Sequence, residues 1–271
     1  MLSPALLASV TLVLYFLASI SAFPALFRKN RRGTLLTPAI AACGMLTHLS
    51  EMMMVGAREG RCPVLNRYEA MSLLAWLIVL VYLIAYARTR LGVLSVILPP
   101  LGLVVLTTSN ILEFVLPPQA ILLGKGQQHS LTVLHVTLAM LGLSALFLTF
   151  ALSLIYLLQD RMLKNKRYAA WLRVLPPLDR CERMIYQSII CGFPLLTLAI
   201  VTGSLLNAST SGHFWSWRID EAFSVVAWGI FAIIIWARLA SGWRGRKTAY
   251  LTIVGFLAGV LTMSGMFLQG R

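Results

Sequence analysis

The sequence predicts an all-α protein that crosses a membrane about eight times. Hydrophobic residues make up 59% of its 271 residues and charged residues only 12%, against roughly 25% charged in a typical soluble domain. A globule of this size cannot bury so much apolar surface, so lipid must surround the chain. The net charge of +14 comes from short basic clusters between apolar runs, which is typical of membrane orientation signals and not of a nucleic-acid surface.

Eight apolar runs are long enough to cross the hydrocarbon layer, which takes about 20 helical residues. They cover residues 5–27, 35–55, 70–87, 92–116, 131–158, 185–206, 220–240 and 248–268. We interpret residues 1–271 as one transmembrane helical domain. The first run follows no basic segment, which favours a retained helix over a cleaved signal peptide. Pro99 and Pro100 predict a kink in the fourth run, or its start, because proline lacks a backbone donor.

The distribution of Lys and Arg predicts how the helices are oriented. The loops after the first, third, fifth and seventh runs hold 17 of the 23 basic residues. Basic loops stay cytoplasmic, so both termini and the loop at 207–221 are predicted to be extracytoplasmic. The longest connection is the basic cytoplasmic loop 159–184. Its residues Tyr168, Trp171 and Leu172 are compatible either with a short helix on the inner surface or with a solvated loop.

Several classes of chemistry have no support in the sequence. The four cysteines, Cys43, Cys62, Cys181 and Cys191, form no C-x-x-C pair and no metal-ligand spacing. There is no P-loop, H-E-x-x-H or G-x-S-x-G motif, so hydrolysis and phosphoryl transfer are not indicated. An enzyme is therefore less expected than a binding or delivery protein.

Ionisable side chains inside apolar runs are costly and are therefore candidates for function. They lie within or at the start of five runs: His48, Glu51, Glu69, Glu113, His135, Asp220 and Glu221. With the predicted orientation, all fall in the outer half of the membrane or at its outer surface, which indicates one shared site. Two structural alternatives remain: the carboxylates at helix starts can cap those helices, and His48 can be a buried histidine bonded to a carbonyl or to Glu51.

The stretch 212–228 combines three Trp, one His, one Arg and two carboxylates at the mouth of the seventh run. A flat tetrapyrrole stacks on indole rings, takes axial bonds from histidine and pairs its propionates with arginine. The candidate metal ligands are His135, His213 and His48, and the candidate stacking residues are Trp215 and Trp217. Arg218, Arg61 and Arg67 would supply cations on the same side. Tryptophan also favours the membrane interface without any ligand.

Five stretches in order resemble the cytochrome c assembly family of haem-handling membrane proteins, which includes CcsA, CcmC and HemX. They are Asn66-Arg67-Tyr68-Glu69-Ala70, Leu134-His135-Val136, Gly192 to Thr197 with Thr202-Gly203, Trp215-Ser216-Trp217 with Glu221, and Gly242-Trp243-Arg244-Gly245-Arg246. The last is most similar to the YpjD group of bacterial inner-membrane proteins. The resemblance implies a haem platform on the outer face, with His135 as an axial ligand and Trp215, Trp217 and Glu221 as signature residues.

The sequence departs from the family pattern at the other ligand positions. Arg218 replaces an Asp of the Trp-rich signature, and Arg61 and Phe267 stand where the family has a His. The stretch Trp236-Ala237-Arg238 also has no His, although the family often has one there. A haem would then be held by His135 together with His213, His48 or Met266, or would be five-coordinate.

The resulting hypothesis is a haem-binding protein of the bacterial inner membrane that presents haem at the outer face for cytochrome c maturation, alongside other maturation proteins. One alternative is a HemX-like regulator that contacts a cytosolic enzyme of tetrapyrrole synthesis through residues 159–184. Another is a cation or proton-coupled transporter that uses Glu51, Glu113 and His48. No nucleic acid partner is expected.

Overall fold

A computed structural model describes residues 3–27, 31–116, 127–165 and 175–268. Within these ranges the chain forms eight α-helices and one short 3₁₀ helix, with no β-strand. All eight α-helical regions are long and apolar enough to cross a membrane. This confirms the all-α membrane protein with eight spans, whereas the direction of crossing stays a prediction. The chain divides into two compact units, residues 1–118 with 173–175, and residues 119–172 with 176–271.

The first unit contains α1 (Pro4–Phe27), α2 (Arg31–Glu59), α3 (Arg67–Thr89), the 3₁₀ helix (Gly92–Val96) and α4 (Leu98–Val115). Helix α1 packs against α2 and α4, and α3 packs against α4. The prolines near residue 100 lie in the first turn of α4, after the 3₁₀ helix. Proline is favoured at this position because the first turn of a helix needs no backbone N–H donor.

Polar side chains link α1 to α2 inside the first unit. The hydroxyl groups of Thr11 and Thr47 lie 3.0 Å apart, as do those of Ser21 and Thr37. Such contacts hold helices together in lipid, where apolar burial alone gives no preference for a partner.

The second unit contains α5 (Gln127–Asn165), α6 (Leu178–Ser211), α7 (Ile219–Ser241) and α8 (Arg246–Leu268). Helix α5 packs against α6 and α8, and α7 packs against α6 and α8. Small residues bring α5 and α6 close together. A Cβ at Gly142 would lie 2.7 Å from Leu196, and one at Gly192 would lie 2.9 Å from the Cβ of Ala145.

Two predicted loops are shorter than the sequence indicated. Helix α5 continues to Asn165 and α6 begins at Leu178, so both helices extend into the predicted loop 159–184. The surface helix expected around Tyr168 to Leu172 lies outside the described residues. Helix α6 also runs on to Ser211, where Gly212, with φ of 77°, ends it. The Trp-rich connection is therefore residues 212–218 and not 207–221.

Candidate functional site

The Trp-rich segment, residues 212–218, joins α6 to α7 in the second unit. Gly212 takes a left-handed conformation and its N–H donates to the carbonyl of Ala208 at 3.0 Å, which closes α6. Arg218 has an extended backbone and caps the start of α7, whose first turn carries Asp220 and Glu221. A left-handed residue is a common helix terminator and is easiest for glycine.

The two tryptophans of this segment form an aromatic pair. Their ring centroids lie 6.1 Å apart and the rings meet edge to face at 80°. Trp217 is 84% exposed, and its φ of 55° is unusual for a residue with a bulky side chain. Trp215 is half-buried, and among the described residues its buried Nε1 has no hydrogen-bond partner. The segment therefore offers one open indole face, while the indole N–H of Trp215 lies inside it.

Polar contacts from α6 and α7 hold the residue between the two tryptophans. The backbone N–H of Ser216 donates to Oε2 of Glu221 at 2.9 Å. The amide Nδ2 of Asn207 donates to the hydroxyl of Ser216. Glu221 is predicted as a cofactor-binding residue. In the structure its carboxylate holds the backbone of the Trp-rich segment at Ser216.

The cationic residue of the segment is tied to α7. Arg218 Nε donates to Oδ1 of Asp220 at 3.2 Å, and its side chain remains 48% exposed. The backbone of Asp220 lies against α8, since a Cβ at Gly265 would be 3.0 Å from its nitrogen. His213 is exposed.

His135 lies on α5 and contacts the backbone of α6. Its Nδ1 is 2.8 Å from the carbonyl oxygen of Ala199 and 3.4 Å from the hydroxyl of Thr202. Since the carbonyl can only accept, Nδ1 carries the proton and the neutral ring has an unprotonated Nε2. Within the described part of the chain, Nε2 makes no hydrogen bond. A histidine held in this way is prepared to bind a metal through Nε2.

A separate cavity of about 220 Å³ lies in the first unit. Four carboxylates line it, on Glu51, Glu59, Glu69 and Glu113, out of nine acidic residues in the whole chain. The Oε2 atom of Glu51 is buried and finds no hydrogen-bond partner among the described residues. Three of the predicted polar residues from different helices therefore do share one space.

Three of the residues that line this cavity form an ion-pair cluster. Arg61 donates to both carboxylate oxygens of Glu69, at 2.8 and 2.6 Å, and also pairs with Glu59. The hydrogen bond to Glu69 raises the pKa of Arg61 above its ordinary value. Glu69 also accepts from the amides of Leu65 and Asn66, at 2.9 and 3.0 Å. With Asn66 as the cap, this is a capping box at the start of α3.

Both ring nitrogens of His48 are engaged within the first unit. The hydroxyl of Tyr15 lies 3.2 Å from Nδ1, and that of Ser72 lies 2.8 Å from Nε2. The side chain is fully buried. Its partners differ from the carbonyl or Glu51 contact that the sequence suggested.

No group of three His, Cys, Asp or Glu residues that could hold a metal ion occurs in the described ranges. A metal enclosed by a macrocycle differs in this respect, because it needs only one or two protein ligands.

The cytochrome C assembly protein family model matches residues 64–268. The chain belongs to this family. It is 27% identical to the cytochrome c biogenesis protein CcsA of Synechococcus sp. (strain CC9605), over 95% of this chain and 91% of that protein. It is 30% identical to CcsA of Chlamydomonas reinhardtii, over 79% of this chain and 60% of that protein. The match to the YpjD group stays a prediction.

A solved structure has the same fold. The cytochrome c haem lyase CcmF aligns over 99% of this chain with a TM-score of 0.65 and 18% identity. The chain spans half the length of that solved protein, and at 18% identity the likeness concerns the fold alone.

The family match covers the second-unit site completely and the first-unit cavity only in part. It includes His135 and the Trp-rich segment in the second unit, and it starts after His48 and Glu51. The second unit thus holds the site that lies wholly in the part of the chain shared with the family.

Sequence reasoning missed several residues that shape these sites. Ala199, Thr202 and Tyr15 contribute contacts across helices that no local pattern reveals. Thr202-Gly203 belongs to one of the stretches that resemble the family, but nothing in that stretch indicates its contact with His135. Asn207 and Ser216 were hidden because short polar side chains are ordinary in loops.

Proposed function

We propose that this protein binds haem at the second unit and presents it for cytochrome c maturation. The observation that carries the proposal is the geometry of His135. Its Nδ1–H donates to the carbonyl of Ala199, and its Nε2, which makes no hydrogen bond within the described ranges, keeps a lone pair for iron. Membership of the cytochrome c assembly family supports it. Haem is the cargo in this account.

The residues present fit such a ligand. Trp217 offers an exposed indole face, and Arg218 offers an exposed guanidinium for a propionate. Haem would supply an iron that accepts imidazole at an axial position. The residues of this chain would hold its plane, pair its carboxylates and exclude water from one face.

His135 is the first axial ligand in this proposal. Of the candidates for the second position, His213 and Met266 belong to the same unit, with the Met266 side chain outside the described residues. His48 already uses both ring nitrogens in bonds to Tyr15 and Ser72. Binding through His48 would require those bonds to break, which makes His213 the better candidate.

The proposed orientation rests on charge. The excess of Lys and Arg in alternate loops favours the Trp-rich segment on the outer face of the bacterial inner membrane. Haem held there would be accessible to an apocytochrome and to other maturation proteins on that side.

The test is haem content per mole of purified protein for His135→Ala and His129→Ala. His129 is half-buried near the start of the same helix, so it is a matched control. We expect His135→Ala to lose most of its haem while His129→Ala keeps it. Equal haem content in the two variants contradicts the assignment. His135→Gln, which keeps a donor for the Ala199 carbonyl, separates loss of the ligand from loss of the helix contact.

The cavity of the first unit favours a second candidate function, cation or proton handling. The buried Oε2 of Glu51 has no hydrogen-bond partner in the part of the chain that the structure describes, and such a group is costly in a membrane unless it is protonated or meets a cation. Ion flux into reconstituted vesicles that Glu113→Gln abolishes would support this function, and absence of flux contradicts it. The regulator hypothesis depends on residues 159–184, whose central part lies outside the described residues, and it stays a prediction.

A further inference from the structure

The ring of His135 occupies a slot on the backbone of α6. One wall is the carbonyl oxygen of Ala199, 2.8 Å from Nδ1. Four residues later, Gly203 has no side chain where the ring lies. A Cβ there would be 2.7 Å from Cε1, 3.1 Å from Nδ1 and 3.5 Å from Nε2.

These two features share one face of α6, because residues four apart in a helix lie above one another. The carbonyl fixes which ring nitrogen is protonated, and the bare backbone fixes how closely the ring approaches. The hydroxyl of Thr202 lies 3.4 Å from Nδ1. This hydroxyl donates to the carbonyls of Leu198 and Ala199. A methyl group at position 203 would therefore force the ring to move.

Other close glycines in this helix pair contact ordinary packing groups. Gly142 faces the side chain of Leu196, and Gly192 faces the Cβ of Ala145. Among the described glycines, Gly203 is the one whose Cβ would meet an imidazole. Gly142 and Gly192 permit close helix packing, whereas the neighbour at Gly203 is the candidate metal ligand itself.

We propose that Gly203 and the carbonyl of Ala199 are positioning elements that hold His135 in the Nδ1–H form and direct Nε2 toward the iron of a haem. This inference rests on the proposed function of the second unit. Partners of this kind in metal proteins set the tautomer and orientation of the ligating ring.

The first measurement concerns the protein without haem. Detergent-solubilised protein labelled with ¹⁵N-histidine is studied by NMR, and His135 is assigned from its absence in His135→Gln. We expect a protonated Nδ1 and an unprotonated Nε2 in the wild type. Gly203→Ala should shift this population toward the other tautomer, because the displaced ring loses its contact with Ala199.

The second measurement is haem affinity by absorbance titration. We expect Gly203→Ala to weaken binding at least about ten-fold, the usual size of such effects on metal affinity. Gly142→Ala is the matched control, since its Cβ meets Leu196 at the same 2.7 Å on the same helix pair. It should lower the thermal midpoint while leaving the tautomer unchanged. Gly229→Ala, whose Cβ meets nothing within 4 Å, should change neither property.

Distinct results overturn the inference and the proposed function. If Gly203→Ala keeps the wild-type tautomer and affinity, or weakens binding only as much as Gly142→Ala, the positioning role is wrong. An Nε2–H tautomer in the wild type overturns it even when Gly203→Ala does not fold. If the tautomer responds as expected but the wild type takes up no haem, the slot exists and the proposed function fails.

Discussion

Removal of the Glu221 carboxylate should loosen the Trp-rich segment and weaken haem binding. Its Oε2 accepts the backbone N–H of Ser216 at 2.9 Å, between the two tryptophans. A hydrogen bond to a charged group contributes about 1.5–3 kcal/mol. Because this bond is exposed, we take about 1 kcal/mol, which is about a five-fold loss of affinity at 1.4 kcal/mol per ten-fold.

The assay is titration of detergent-purified, haem-free protein with haem, followed by absorbance. Glu221→Ala should raise the dissociation constant about five-fold by the reasoning above. Glu221→Gln keeps a neutral acceptor oxygen and should lose about half as much free energy. Ser216→Ala keeps the backbone donor and removes only the contact of its hydroxyl with Asn207. Its effect on haem affinity therefore measures the contribution of Asn207 separately from that of the Glu221 carboxylate.

One result would refute this reasoning. Glu221→Ala that binds haem as tightly as the wild type, while His135→Ala does not bind, would show that the carboxylate does not organise the site.

Three further outcomes test other parts of the account. Trp217→Ala should reduce the free energy of haem binding by about 1 kcal/mol, because stacking is lost. Trp236 is also exposed but lies within α7, so Trp236→Ala should leave haem affinity unchanged. Equal effects of the two substitutions contradict a stacking role. Glu69→Ala removes an ion pair and a capping box and should lower stability by about 2 kcal/mol, seen as a lower thermal midpoint; an unchanged midpoint contradicts it. In a cysteine-free background, Ser216→Cys should react with an impermeant maleimide added outside cells and Ser241→Cys should not; the reverse pattern would invert the proposed orientation.

The eight spans could be predicted because length and apolar composition alone determine which segments fit a bilayer. Helix ends were less predictable. The polar residues from Asn207 to Ser211 look like a loop, yet α6 continues through them. Their hydroxyls are satisfied by carbonyls of the preceding turn, and the helix ends only at Gly212.

The chemistry of the site was only partly predictable. His135 and the tryptophan pair could be selected by residue type and position. The tautomer of His135 depends on Ala199, which is 64 residues away in sequence and contributes only its backbone. The bonds of His48 depend likewise on Tyr15 and Ser72 from two other helices. Such contacts need the packing of helices, which residue types alone do not specify.

The most direct test of haem binding through His135 is the absorption spectrum of the purified protein, as isolated and after reduction, beside that of His135→Ala. The wild type should show a Soret band and sharp reduced bands, and both should be absent from the variant. A colourless wild-type protein that also fails to take up added haem would contradict haem binding. A wild-type spectrum retained in His135→Ala would contradict the assignment of His135 as the iron ligand.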